Sequence, residues 1–272
     1  SLYDKECWGY TKQIVERERE NVVEAKNYKL SILSERQFEW WSKTIGVWLG
    51  LNLIVALGFL ISIYFLFKSY QQTQAAGYLF YSFFFIGAGS ILFPQLTILS
   101  VLWLLEAYRF QSLTPRSFCG ALLGWMLPYW MLFGHAFFYN EMELFYRPFN
   151  QLLTIGEFFN LQILQPWELA ILGYLLVMFI VSAVHCIAAG FEDKIRTRAY
   201  LQFLIDLTIF LFLLIALQPI YCSALLPLLI ISNSILIGHF FVLTNSKSSN
   251  VFFIISLVGL ILLFAFNIWT LL

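Results

Sequence analysis

Apolar residues crowd this chain into long blocks separated by short polar breaks. A helix needs about 20 consecutive apolar residues to cross the hydrocarbon core of a bilayer. That test predicts spans over 45–67, 118–139, 168–190, 200–217, 222–243 and 251–272. The block at 76–108 is too long for one straight helix and is interrupted by Phe93-Pro94-Gln95. We read it as one crossing broken at Pro94, because proline removes a backbone donor and crowds the preceding turn. Gly87, Gly89 and Ser90 beside the break permit close packing and unusual backbone angles. Such a discontinuous helix can offer backbone polar groups to a substrate; an ordinary proline kink or a short re-entrant hairpin packed on its neighbours fits the same residues. The expected fold class is an all-α integral membrane protein of about seven transmembrane crossings.

Two segments depart from this pattern. Residues 1–44 form a charged N-terminal segment, and 11–43 read as a helix in which Glu16, Glu20 and Glu24 recur at four-residue spacing. Its thin apolar face, ending in Phe38, Trp40 and Trp41, suits a cytoplasmic amphipathic helix that anchors at the membrane surface. A solvated linker to the first span is the plainer alternative. The rest, 45–272, is a polytopic membrane domain with one long connection at 140–167. There Phe145, Phe149, Leu152, Leu153, Phe158, Phe159 and Leu161 alternate with Glu141, Glu143, Arg147 and Glu157, so the loop is expected to lie flat on the outer membrane face.

Charge decides the expected orientation. The basic residues Lys5, Lys12, Arg17, Arg19, Lys26, Lys29, Arg36 and Lys43 all precede the first span. With 76–108 crossing once, they share a side with Arg109, Arg116, Lys194, Arg196, Arg198 and Lys247, leaving Lys68 and Arg147 opposite. Cytoplasmic loops hold the excess of lysine and arginine, so the N-terminus is expected inside and the C-terminus outside.

Composition removes several function classes. Only 12% of residues are charged while 60% are hydrophobic, so most of the chain has bilayer as its solvent. Formal net charge is zero, leaving no global field to draw nucleic acid. The four cysteines, Cys7, Cys119, Cys186 and Cys222, show no paired spacing, and free thiols without a bound metal or cofactor are expected. No phosphate-binding loop, dinucleotide fingerprint, nucleophile elbow or zinc-protease motif is present. The first hydrophobic run begins behind some forty polar residues, unlike a signal peptide, and no Met opens the chain.

Ionisable groups within spans are costly and therefore mark candidate sites. Glu106, His185, Asp206 and His239 fall at similar depth on the cytoplasmic half under the seven-span topology. Asp206 paired with either histidine could bind a cation or relay a proton; the alternative is that only Asp206 is buried while the others reach the interface. At the outer face, His135, Glu141, Glu143 and Arg147 bring together a base, acids and a cation that could hold a lipid headgroup, arginine being suited to phosphate oxygens. They equally describe a plain polar rim. Gly120 and Gly124 are spaced to let another helix approach closely, a packing role.

The runs YLFYSFFFIGAGSILFPQL, LTPRSF and LLGWMLPYWMLF between Tyr78 and Tyr139, and later EDKIRTR and LLPLLIISNSILIGHFF, carry a resemblance. Over roughly 76–272 the chain resembles a family of bacterial multi-pass inner-membrane proteins sometimes labelled beta-carotene 15,15'-monooxygenases. Carotenoid cleavage uses iron held by four histidines, and this chain has His135, His185 and His239 alone. The resemblance therefore implies a location in the bacterial inner membrane and no activity.

Three functions fit these residues. A structural or assembly subunit of a membrane or cell-envelope complex, bound to lipids and to other membrane subunits, comes first, because two amphipathic segments offer docking surfaces. A transport component for a small or lipid-linked substrate would use the Pro94 break and Asp206. A membrane enzyme acting on lipid-linked precursors would use the outer-face residues.

Overall fold

The computed structural model describes residues 50–153, 164–188, 190, 193–243 and 247–271. Contacts divide the chain between Leu53 and Ile54. The first unit enters the described residues only as 50–53, the opening turn of a helix, and the architecture below is that of the second unit. The expected charged helix at 11–43, and Glu157, Phe158, Phe159 and Leu161 of the outer loop, lie outside the described residues.

The described chain is helical and carries no strand. Its helices are α1 (Gly50–Lys68), α2 (Ala76–Leu92), α3 (Leu96–Arg109), α4 (Pro115–Phe138), α5 (Met142–Leu153), α6 (Pro166–Ala188), α7 (Ile195–Leu217), α8 (Cys222–Leu243) and α9 (Lys247–Leu271). Six of them, α1, α4, α6, α7, α8 and α9, are long and apolar enough to cross a membrane. Local chemistry sets several boundaries. Thr114 opens α4 with a reciprocal cap, its hydroxyl accepting from Ser117 N while Ser117 Oγ accepts from Thr114 N, and Pro115 fills the first helical position, where no donor is needed. A short 3-10 turn, Pro219–Tyr221, joins α7 to α8.

The block at 76–109 corrects the expected topology. Phe93 is extended, as the residue before a proline is pushed to be, and the helix restarts after Pro94 with Leu96 N and Thr97 N donating to Phe93 O and Pro94 O. The chain does not continue in its old direction there. Ser62 on α1 bonds Ser82 on α2, and Gly58 faces Phe85, so α2 runs antiparallel to α1. On α3, Trp103 reaches the same two serines while Phe110 lies beside Phe67, so α3 runs with α1 and against α2. The two ends of the block meet: Gln71 N donates to Phe110 O at 3.0 Å, and Ser69 Oγ to Ser112 Oγ at 3.3 Å. Residues 76–109 are therefore an antiparallel hairpin with its tip at 93–95, not one broken crossing.

Helix α4 then runs parallel to α2 at very short range. A Cβ added at Gly120 would sit 2.8 Å from Ala76 O, and one at Gly124 2.3 Å from Phe80 O, so these positions have room for glycine alone. The helix that approaches this pair is α2. In the other half α8 lies parallel to α6, through Asn233 Nδ2 donating to Leu175 O, and α7 returns against α8, where Thr208 bonds Ser232. An aromatic cluster of Phe59, Trp103, Phe203, Phe67 and Tyr200 ties α1, α3 and α7 together.

These contacts put Lys68, Arg109, Arg116, Lys194, Arg196, Arg198 and Lys247 at one end of the bundle. Arg147 lies at the other, with α5 and the hairpin tip. We refer to the basic end and the far end.

Candidate functional site

Two polar groupings stand at the basic end, and they divide the four residues expected to form one inner cluster. The first joins α3 to α7. Glu106 is 2% exposed, and Arg109, one turn later, donates from Nη1 to its Oε1 at 2.6 Å. The same nitrogen donates to Asp206 Oδ2, whose other oxygen accepts from Gln202 Nε2 at 3.3 Å. Glu106 and Asp206 do come together, but through a guanidinium that sequence reading had assigned to a loop. A buried carboxylate persists only with such a partner, and here the partner's outer half reaches water at the basic end, since the Arg109 side chain is 47% exposed. The arrangement clamps two helices and leaves no free carboxylate.

The second grouping lies between α6, the α6–α7 turn and α8. His239 sits one turn before the end of α8 and faces different groups with its two ring nitrogens: Nδ1 is 3.8 Å from Cys186 Sγ, and Nε2 is 3.6 Å from Asp193 Oδ2, a buried oxygen without a hydrogen-bond partner. Gly190 lets the turn fold back, because a Cβ there would meet Cys186 O at 2.8 Å. His185 neighbours the cysteine, packs edge-on against Phe240 at 4.9 Å and holds a buried Nδ1 with no hydrogen-bond partner. Neither histidine pairs with Asp206. Among the described residues no three histidine, cysteine or carboxylate groups converge as metal ligands do.

At the far end the outer-face candidates do not converge. His135 stacks on Tyr139 at 4.6 Å on the last turn of α4. Glu141, Glu143 and Arg147 are exposed on α5 or its approach, and among the described residues no ion pair links them. The first part of this loop is the helix α5, which packs Phe145 and Phe149 against Phe133 and Tyr129 of α4.

Sequence reading missed three features. Trp103 Nε1 donates to both Ser62 and Ser82 at 3.0 and 3.1 Å, a fully buried junction of α1, α2 and α3; serines scattered over three helices give no pattern along the chain. Cys186 and Asp193 escaped notice because their partner, His239, is some fifty residues away. The third is a cavity of about 550 Å³ between α6, α8 and α9, lined mainly by apolar side chains; a sequence does not record helices that fail to close up. The chain matches no known family model, no curated protein and no solved structure.

Proposed function

We propose that this chain is a structural subunit of a complex in the bacterial inner membrane, built as six crossings and one re-entrant hairpin. The observation that carries this reading is α9: 6% of its apolar window is buried inside the chain, against 50% for α7. A helix held so lightly by its own fold presents nearly its whole circumference to other membrane components, and helices in lipid associate by packing rather than by hiding from water. Support also comes from the ionisable groups at the α3–α7 junction, which are committed to each other. Purification from native membranes in a mild detergent tests the reading. Stoichiometric co-purification of another membrane protein, lost when α9 is deleted, is expected; a chain that runs alone by native mass measurement overturns it.

The re-entrant count rests on length. Helices α2 and α3 have 17 and 14 residues, about 25 and 21 Å at 1.5 Å per residue, and both fall short of a core about 30 Å thick. Lys68 now stands on the same side as Arg109 and Arg116, and the seven basic residues at that end, set against Arg147 and the eight that precede the first span, give neither end the excess that marks the cytoplasm. A transport role is the second reading, favoured by that hairpin, since re-entrant backbone is tolerated where it is buried in protein or lines a path. Asp206→Asn would abolish substrate flux in vesicles under this reading, and unchanged flux removes it.

A further inference from the structure

We infer that the cavity between α6, α8 and α9 is a groove for one acyl chain of a membrane phospholipid, its headgroup at the far end and its chain tip at the basic end. The walls run along the helices. On α9, Phe253, Leu257, Leu260, Phe264 and Asn267 line the space, and their alternating spacing of four and three residues makes them one face of that helix. On the opposite face Ile255, Val258 and Leu262 are exposed, so a chain in the groove leaves α9 open to a partner protein.

Length and width select the occupant. From Phe253 to Asn267 the groove runs about 21 Å on α9, and from Ile230 to Phe241 about 17 Å on α8, at about 1.5 Å per residue. An extended hydrocarbon advances about 1.25 Å per carbon, the projection of a roughly 1.52 Å bond at a near-tetrahedral angle, so the groove takes about 13–17 carbons. A volume of about 550 Å³ spread over about 17–21 Å makes it about 6 Å across. Carbon atoms pack at about 3.5–4.0 Å, so one chain fits and two do not. A partner helix, about 10 Å across with its side chains, is too wide.

The chemistry of the walls agrees. Apolar cavities do not take up water, and two hydroxyls at this one bond backbone instead: Tyr174 Oη donates to Ser256 O at 3.0 Å, and Ser256 Oγ to Phe253 O at 2.8 Å. Across the basic end stand Phe241 and Phe253, edge to face with ring centroids 5.0 Å apart. At the other end lie Asn267 and, two residues on, the exposed Trp269, an amide and an indole placed for the headgroup layer. Among the described residues the far-end turns of α6, α8 and α9 carry no lysine or arginine, and their one carboxylate is Glu168. A free fatty acid would find no cation there for its carboxylate, whereas the ester-linked chain of a phospholipid enters uncharged.

The test uses the full chain in nanodiscs of phosphatidylcholine whose palmitoyl tip carries a photoactivatable diazirine, and maps adducts by peptide mass spectrometry. Tips of ordinary bilayer lipids meet at the midplane, about 15 Å from either edge of the core. Ile209 and Leu213, exposed on α7, report that background. Adducts on Phe241 and Phe253 are expected about tenfold or more above it, since fit in an apolar pocket discriminates by about 10–200-fold for a single methylene. Gly238→Leu fills the groove from a position whose Cβ would meet nothing within 4 Å, and should return both to background. Gly173→Leu, equally unobstructed but outside the lining, should leave them enriched, and free palmitic acid with the same diazirine should enrich neither. Background labelling of Phe241 and Phe253 overturns the proposal, as does enrichment that survives Gly238→Leu or is matched by the fatty acid. The unsubstituted protein decides by the first and last of these even if a variant fails to fold.

Discussion

Replacing Gly124 with alanine adds one methyl group at the tightest approach among the described glycines. The new Cβ would lie 2.3 Å from Phe80 O and 3.0 Å from its carbonyl carbon, where ordinary contact begins near 3.4 Å. Relief therefore needs about 1.1 Å of movement (3.4 − 2.3). The obstructing atoms belong to the backbone at the second turn of α2, so no side chain can rotate aside and the helix itself must shift. Overpacking of this kind costs about 1–3 kcal/mol, and a backbone obstacle places it at the upper end. The same shift strains the 2.8 Å hydrogen bond between the Ser90 and Tyr129 hydroxyls, which spans the same two helices. Against this, alanine is favoured over glycine within a helix by about 1 kcal/mol.

Gly134 provides the matched control. It lies on the same helix, and a Cβ there would meet nothing within 4 Å, so Gly134→Ala receives the helix-forming gain alone. The difference between the two variants is then about 3 kcal/mol, the packing term isolated from propensity. Gly87→Ala and Gly120→Ala, with approaches of 2.7 and 2.8 Å, should fall between them. Unfolding in mixed micelles, titrated with denaturing detergent and followed by far-ultraviolet circular dichroism, measures all four. If Gly124→Ala is as stable as Gly134→Ala, the parallel packing of α2 on α4 described above is wrong.

Three further outcomes follow from the hairpin and its clamp. Trp103→Phe keeps the ring's packing against Phe59 and Phe203 but loses the indole donor, and should cost about 1 kcal/mol in the same assay, the modest end because Ser62 and Ser82 still bond each other at 3.2 Å. Arg109→Gln strands the buried Glu106 and should cost about 3 kcal/mol, with a large part returned in the double variant Glu106→Gln, Arg109→Gln; no recovery would show that the guanidinium acts through packing instead of charge. In a cysteine-free background, Gln72→Cys and Gln111→Cys should react with a membrane-impermeant maleimide from one and the same side, and Asn150→Cys from the opposite side. Labelling of the first two from opposite sides would restore the single crossing.

How far the fold could be read depended on whether its determinants are local. Six spans were legible because hydrocarbon demands continuous apolar runs, a property of neighbours along the chain. The interruption at Pro94 was legible too, but not the direction taken after it. A kink and a reversal leave the same Phe93-Pro94-Gln95 in the sequence, and only the pairing of Ser69 with Ser112 and of Gln71 with Phe110 decides between them. The inner candidates failed in the same manner. Depth along each span was read well enough to put Glu106 and Asp206 together, while the rotation of each helix, which sends His239 to Asp193 and Cys186, is set by packing between helices distant in sequence. The outer residues were read as a cluster because they are close in sequence, yet His135 stacks on Tyr139 at the end of α4 while Glu143 and Arg147 stand exposed on α5.

The two halves of the membrane domain are held by different kinds of contact, and this bears on which part can yield. Helices α1 to α4 are joined by buried hydroxyls, an indole donor and glycine-mediated backbone approach, all of which are directional or intolerant of separation. The α6–α8 pair has Asn233 as its buried polar link. Helix α9 rests on the Tyr174 hydroxyl donating to Ser256 O at 3.0 Å, on Gly259 seated against the Tyr174 ring, and on Phe252 and Phe253 touching Phe241. Dispersion between apolar side chains is nearly matched by what lipid tails offer in exchange, so the aromatic contacts contribute little net hold. The Tyr174 contact, about 1 kcal/mol, is then a large share of what keeps α9 in place, and α9 is the element expected to separate at the lowest free energy. That weakness sits beside the cavity between α6, α8 and α9, so the helix whose loose seating leaves that space is the one a partner or a lipid can displace.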